Sequence, residues 1–132
     1  MIIPEPLNKD RICIGHRGVW WAEIETKGRI AHGSMPFLGD CAVRHMTAVL
    51  QEMEDSLFPA LAARKTDMPV VPEGARQSTL NINAIHGGLP EPEADYTGLP
   101  SACVPDRCVI TIDRRFLAEE DLDDVKGEIR AL

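Results

Sequence analysis

Positive charge is in short supply in this sequence: 14 Lys and Arg face 21 Asp and Glu, for a net charge of −7. Nucleic acid and anionic membranes would repel such a chain at long range, so neither is expected as a partner. No apolar run approaches the roughly 20 residues that a membrane-spanning helix needs. Cys13, Cys41, Cys103 and Cys108 form no Cys-x-x-Cys pair. That argues against a zinc ribbon and for buried or half-buried free thiols. Residues 1–10 hold two prolines and two acids, which does not fit a signal peptide. With free thiols and no targeting signal, a cytoplasmic location is expected. Internal repeats and low-complexity tracts are also missing.

What is present suffices for one packed domain: 132 residues, 44% of them hydrophobic. Residues 28–36 read Gly-Arg-Ile-Ala-His-Gly-Ser-Met-Pro. This polar, Gly-flanked loop carries His32 between a strand pattern and a helix pattern. A histidine displayed between two rigid elements is suited to donate a hydrogen bond or carry a proton. No complete catalytic apparatus surrounds it, so the chain reads as one domain of an enzyme.

Residues 10–27 alternate as a strand, with Trp20, Ala22 and Ile24 on one face and Val19, Trp21, Glu23 and Glu25 on the other. Gly15 and Gly18 suggest a bend or bulge there, giving one long strand or two joined at His16-Arg17-Gly18. Asp40 is placed to cap a helix whose apolar stripe is Val43, Met46, Leu50, Met53 and Leu57. Pro59 predicts an end or kink at Phe58. Residues 65–76 read as loop. Residues 77–85 alternate again, with Leu80, Ile82 and Ala84 together. Residues 87–105 form a long Pro- and Gly-bearing loop. Residues 108–113 predict a strand with Ile110 and Ile112 inward, and residues 119–132 a helix with Leu122, Val125, Ile129 and Leu132 as its stripe. His45 reads as solvated and His86 as a turn residue; His16 with Arg17 could line a cleft, but structural bonding is the favoured role.

The order strand, helix, strand, strand, helix predicts an α+β fold. It is a ferredoxin-like β-α-β-β-α(-β) two-layer sandwich, with two helices on one face of an antiparallel sheet. The sheet is either short of its fourth strand or built on three main strands.

Four segments carry a family resemblance. They are Ile3-Pro4-Glu5-Pro6, the loop 28–36, the strand from Asn81 through Gly87-Gly88, and Val104-Pro105-Asp106-Arg107-Cys108 followed by Asp113-Arg114-Arg115. In this order they resemble the small dimerisation domain, or lid, of the dinuclear-zinc amidohydrolases and peptidases. That family includes acetylornithine deacetylase, succinyl-diaminopimelate desuccinylase, aminoacylase and glutamate carboxypeptidase. The resemblance makes residues 1–9 the tail of a catalytic domain or a linker, and residues 10–132 the lid.

The resemblance also implies roles. His32 would cross a homodimer and hydrogen-bond the oxyanion in the partner's active site. Arg115 would bind the carboxylate of a small N-acyl amino acid or peptide substrate. Glu5 would be a carboxylate ligand to one metal ion. Two zinc ions, or cobalt, are implied for the full-length enzyme and none for this stretch alone, which is expected to be inactive by itself. Two positions depart from the family: Ala102 stands where an Asn is common, and Leu7 follows Glu5-Pro6 in place of Thr or Ser. A reading from another class is a stand-alone ferredoxin-like module that binds a ligand or regulates a partner without catalysis.

Overall fold

The computed structural model describes residues 15–89 and 102–132. Glu5, Cys13 and most of the long Pro-bearing loop lie outside the described residues.

Strand β1, Gly18–Lys27, alternates between half-buried and exposed along its whole length. It begins at Gly18, where the sequence suggested a bend, and Arg17 lies just before it. Its partner β5, Arg107–Phe116, is the most buried strand. Both β1 and β3, Thr79–Gly87, pair with it antiparallel, so the sheet order is β1-β5-β3. The last main strand therefore lies between the first two, as a split β-α-β arrangement requires. A second, two-stranded ladder joins β2, Ala31–His32, to β4, Cys103–Val104.

The first helix is α1, Ala42–Glu52, continued by a π-turn at Met53–Leu57 and by α2, Phe58–Ala63. The helix does not end at Phe58, but its regular geometry is interrupted just before it. Pro59 has no N–H and its ring excludes a carbonyl four residues back. The wider turn absorbs this, because Phe58 N–H bonds Met53 O, five residues back. The apolar stripe thus continues past the proline to Leu61. Helix α3, Leu122–Arg130, starts later than expected. Asp121 caps it by accepting from the N–H groups of Asp123 and Asp124.

Both helices cover one face of the sheet. Ala42, Met46, Met53, Leu57 and Leu61 meet Cys108, Ile110 and Ile112, with Ile24, Ile82, Ile129 and Leu132 around them. The third strand departs from simple alternation. A bulge at Asn83 shifts the register, so Ala84 faces Thr111 while Ile85 faces Ile110. Ala84 therefore leaves the face it was expected to share with Leu80 and Ile82. Because Ile112 is fully buried at the centre of β5, Ile112→Ala should cost about 3 kcal/mol. Urea unfolding should show a lower midpoint at unchanged slope.

A charged network locks α3 to the sheet. Arg114 is fully buried on the helix face; its Nη2 lies 2.7 Å from Glu120 Oε1 and 3.7 Å from Glu128 Oε2. Arg64 Nη1, at the end of α2, bonds the same two carboxylates at 3.0 and 2.6 Å. Ser78 Oγ and the N–H of Leu117 also donate to Glu120. Burial disfavours the Glu120 carboxylate, but these donors outweigh it and hold its pKa at about 2. Sequence pattern placed Glu120 inside a helix; it lies before the helix, whose N-cap is Asp121.

Candidate functional site

The histidine loop is built by two chain crossings. Gly28 N–H bonds Asp106 O at 2.8 Å, and Arg29 and Asp40 exchange backbone hydrogen bonds of 2.8 Å. A Cβ on Gly28 would collide with Asp40 O, so only glycine lets these strands cross. Beyond the crossing, Ala31 and His32 pair with Val104 and Cys103. Gly33 N–H bonds Ala102 O, and a Cβ on Gly33 would sit 2.6 Å from that oxygen. Met35 N–H returns to His32 O at 2.8 Å and closes the turn.

His32 is exposed on this rigid turn. The backbone N–H of Ser34 donates to its Nδ1 at 3.2 Å, and Ser34 Oγ lies 2.8 Å from the same atom. A backbone N–H can donate only to an unprotonated Nδ1. The ring proton is therefore assigned to Nε2, which is left as the ring's donor. Ile30, Met35, Phe37 and Leu38 flank it as exposed apolar side chains, with Phe37 77% exposed.

His45 is exposed, as its helix position suggested, and it is also paired. Its Nε2 lies 2.8 Å from Asp40 Oδ1 and its Nδ1 3.1 Å from Lys27 O. Asp40 is thus committed to His45, and Cys41 occupies the N-cap of α1 without a side-chain cap bond. The two residues line a hollow of about 540 Å³ with Cys41, Arg44 and Pro105. Both His45 nitrogens are already engaged, so this ring is not free to activate Cys41.

Arg115 lies at the other end of the sheet, on the face without helices. Its Nε and Nη2 grip Asp113 at 2.6 and 2.8 Å. Asp113 is held below the ordinary carboxylate range, first by Arg115 and also by a hydrogen bond from Trp21. Arg115 is pushed up by the same pairing. Arg114 points to the opposite face, as strand alternation requires.

Arg17 joins this group; the sequence favoured a structural role for it over lining a cleft. Its Nη1 donates to Gln77 O at 2.8 Å and lies 3.2 Å from Thr79 Oγ1. The signal was its parity: Arg17, Val19 and Trp21 alternate on one face, but Gly18 suggested a bend that would interrupt the pattern.

His32 and Arg115 do not meet within one chain. The histidine hairpin leaves the sheet at the Lys27–Arg107 end, and eight residue steps of β5 separate Arg107 from Arg115. At about 3.3 Å per step that is on the order of 26 Å. Among the described residues, no three His, Cys, Asp or Glu side chains converge as a metal site. The described residues therefore do not fit a metal pair by themselves. No described helix is long and apolar enough to cross a membrane.

The described residues form a ferredoxin-like sandwich with a histidine hairpin at one end and an arginine cluster at the other. The profile of the peptidase dimerisation domain (M20) matches residues 14–132, and the chain belongs to that family. It is 31% identical over 119 residues to Uncharacterized protein YgeY of Escherichia coli (strain K12), covering 89% of this chain and 25% of that protein. The chain thus spans about a quarter of the length of the curated relatives it matches.

Solved structures share the fold. A protein from methicillin-resistant Staphylococcus aureus aligns with a TM-score of 0.58 at 16% identity, covering 88% of this chain and 25% of its own. An aminobenzoyl-glutamate utilization protein from Klebsiella pneumoniae aligns at 0.53 and 15%, covering 88% and 24%. A tripeptidase from Staphylococcus aureus aligns at 0.50 and 17%, covering 85% and 22%.

Proposed function

We propose that this chain is the dimerisation lid of a metal-dependent amidohydrolase or peptidase, of the deacylase, desuccinylase or carboxypeptidase type. The full-length protein would cleave an N-acyl or peptide bond beside a carboxylate. In this reading it is a homodimer. His32 enters the partner's active site and donates from Nε2 to the oxyanion of the tetrahedral intermediate. Arg115 binds the substrate carboxylate in its own subunit, where the guanidinium fork is well shaped for the task.

The catalytic half elsewhere in the polypeptide supplies the base and the site for two zinc ions, or cobalt. Glu5 is proposed as one carboxylate ligand there, with residues 1–9 the tail of that half. The substrate is a small N-acyl amino acid or peptide, and the enzyme is cytoplasmic.

The observation that carries this reading is the placement of the two side chains. His32 is exposed and locally fixed, with Nε2 left as its donor. It lies a full strand away from Arg115, so one chain cannot bring both to one small substrate. Two chains related by a two-fold axis can. The match to the dimerisation family favours this over a stand-alone module.

A kinetic test uses the full-length protein and a panel of N-acetyl amino acids. Hydrolysis is expected, and Arg115→Gln should raise KM about tenfold with kcat nearly intact, as the loss of a charge-assisted hydrogen bond to bound substrate implies. No hydrolysis of any panel member, or an unchanged KM, contradicts the assignment.

A further inference from the structure

We infer that Arg17 is a second carboxylate-binding residue, and that the substrate anion sits between its guanidinium and that of Arg115. The inference rests on the reading above and adds a residue to it.

Two rows of the open sheet face build the cradle. Val19, Arg115 and Thr79 lie across one row, and Trp21, Asp113 and Asn81 across the next. Arg17 enters from the strand start and reaches over to β3 at Gln77 and Thr79. This anchors Nη1 and fixes the group. Among the described residues no acceptor meets its Nε or Nη2. Arg115 spends Nε and Nη2 on Asp113 and keeps Nη1.

Charge decides the assignment. Asp113 already neutralises Arg115, so Arg115 alone offers an incoming anion little net attraction. Arg17 supplies the missing positive charge: two guanidiniums and one carboxylate share this spot, in a chain that is strongly acidic overall. Arg17 is held below the ordinary arginine range, first by burial and next by repulsion from Arg115, with Asp113 acting in the opposite sense. A carboxylate between the two groups relieves that repulsion. It accepts from Arg17 on one side and Arg115 Nη1 on the other. Asp113 then acts as the positioning residue that keeps the Arg115 plane in place.

The test compares, in the full-length protein, an N-acetyl amino acid that it hydrolyses with the carboxamide of the same compound. Arg17→Gln should raise KM for the carboxylate about tenfold, leave its kcat nearly unchanged, and leave the carboxamide kinetics unchanged. Arg17→Lys keeps the charge without the fork and should raise KM for the carboxylate by a smaller factor. It carries the test if Arg17→Gln does not fold. Equal effects on the two compounds, or none on either, overturn the role of Arg17. If Arg115→Gln remains selective for the carboxylate in that case, the parent reading stands. If Arg115→Gln is also unselective, or if no N-acetyl amino acid is cleaved, both readings fall together.

Discussion

Arg114→Ala is expected to destabilise the fold by about 3–5 kcal/mol, a large part of the 5–15 kcal/mol that stabilises a typical domain. The guanidinium is fully buried and faces Glu120 and Glu128. Removing it leaves two carboxylates without their central counter-charge, although Arg64 still reaches both. Much of the cost is the penalty for those stranded charges. Arg114→Ala combined with Glu120→Ala should therefore cost less than the sum of the single changes. Urea unfolding of the four species measures the coupling, and strict additivity would count against a connected network.

The same network sets an acid limit. Glu120 titrates at about 2 in the folded chain, against 4.5 for an unperturbed glutamate. A depressed folded value means that the stabilisation is fully present above about pH 4.5 and is lost as pH falls through 2. Its size is about 3 kcal/mol. Glu120→Gln should remove this part of the acid sensitivity, measured as a flatter dependence of the urea midpoint on pH between 4.5 and 2.

His32→Ala should lower kcat of the full-length enzyme by a factor of about 10²–10³, the usual effect of removing one oxyanion donor. Substrate KM should change little, because in the proposed role the donor meets charge that exists only in the transition state. Melting temperature should also be nearly unchanged. The side chain is exposed, and the turn is held by backbone bonds from Gly33 and Met35. A large loss of stability would assign His32 a structural role.

Much of this architecture was legible in the sequence because burial leaves a period. Trp20, Ala22 and Ile24 alternate along β1, and Met46, Met53 and Leu57 recur at helical spacing; each set lies where its pattern places it. The failures have local causes. Pro59 carries a strong stop signal, and the pattern holds no sign that a π-turn will absorb it. The bulge at Asn83 breaks a clean two-residue alternation that gives no warning. Asp40 and Glu120 both looked like helix-end acids, but each is drawn to a side chain outside that role: His45 for one, Arg114 for the other.

The candidate site was readable in its parts and not in its layout. Glycines around His32 announced a displayed ring, because only glycine allows two chain crossings so close. The pairing of Arg115 with Asp113 follows from strand parity, since residues two apart share a face. Arg17 stayed hidden behind Gly18. The separation of His32 from Arg115 needed the register of β5, which no local pattern contains.

The most direct measurement mixes two inactive full-length proteins. One carries His32→Ala with an intact catalytic half; the other keeps His32 but lacks the catalytic base. After subunit exchange, dimers containing one of each should have one working site, and activity should return to about a quarter of the unmodified level. A mixture that forms mixed dimers but stays inactive would show that His32 does not act across the interface. So would a His32→Ala homodimer with full activity.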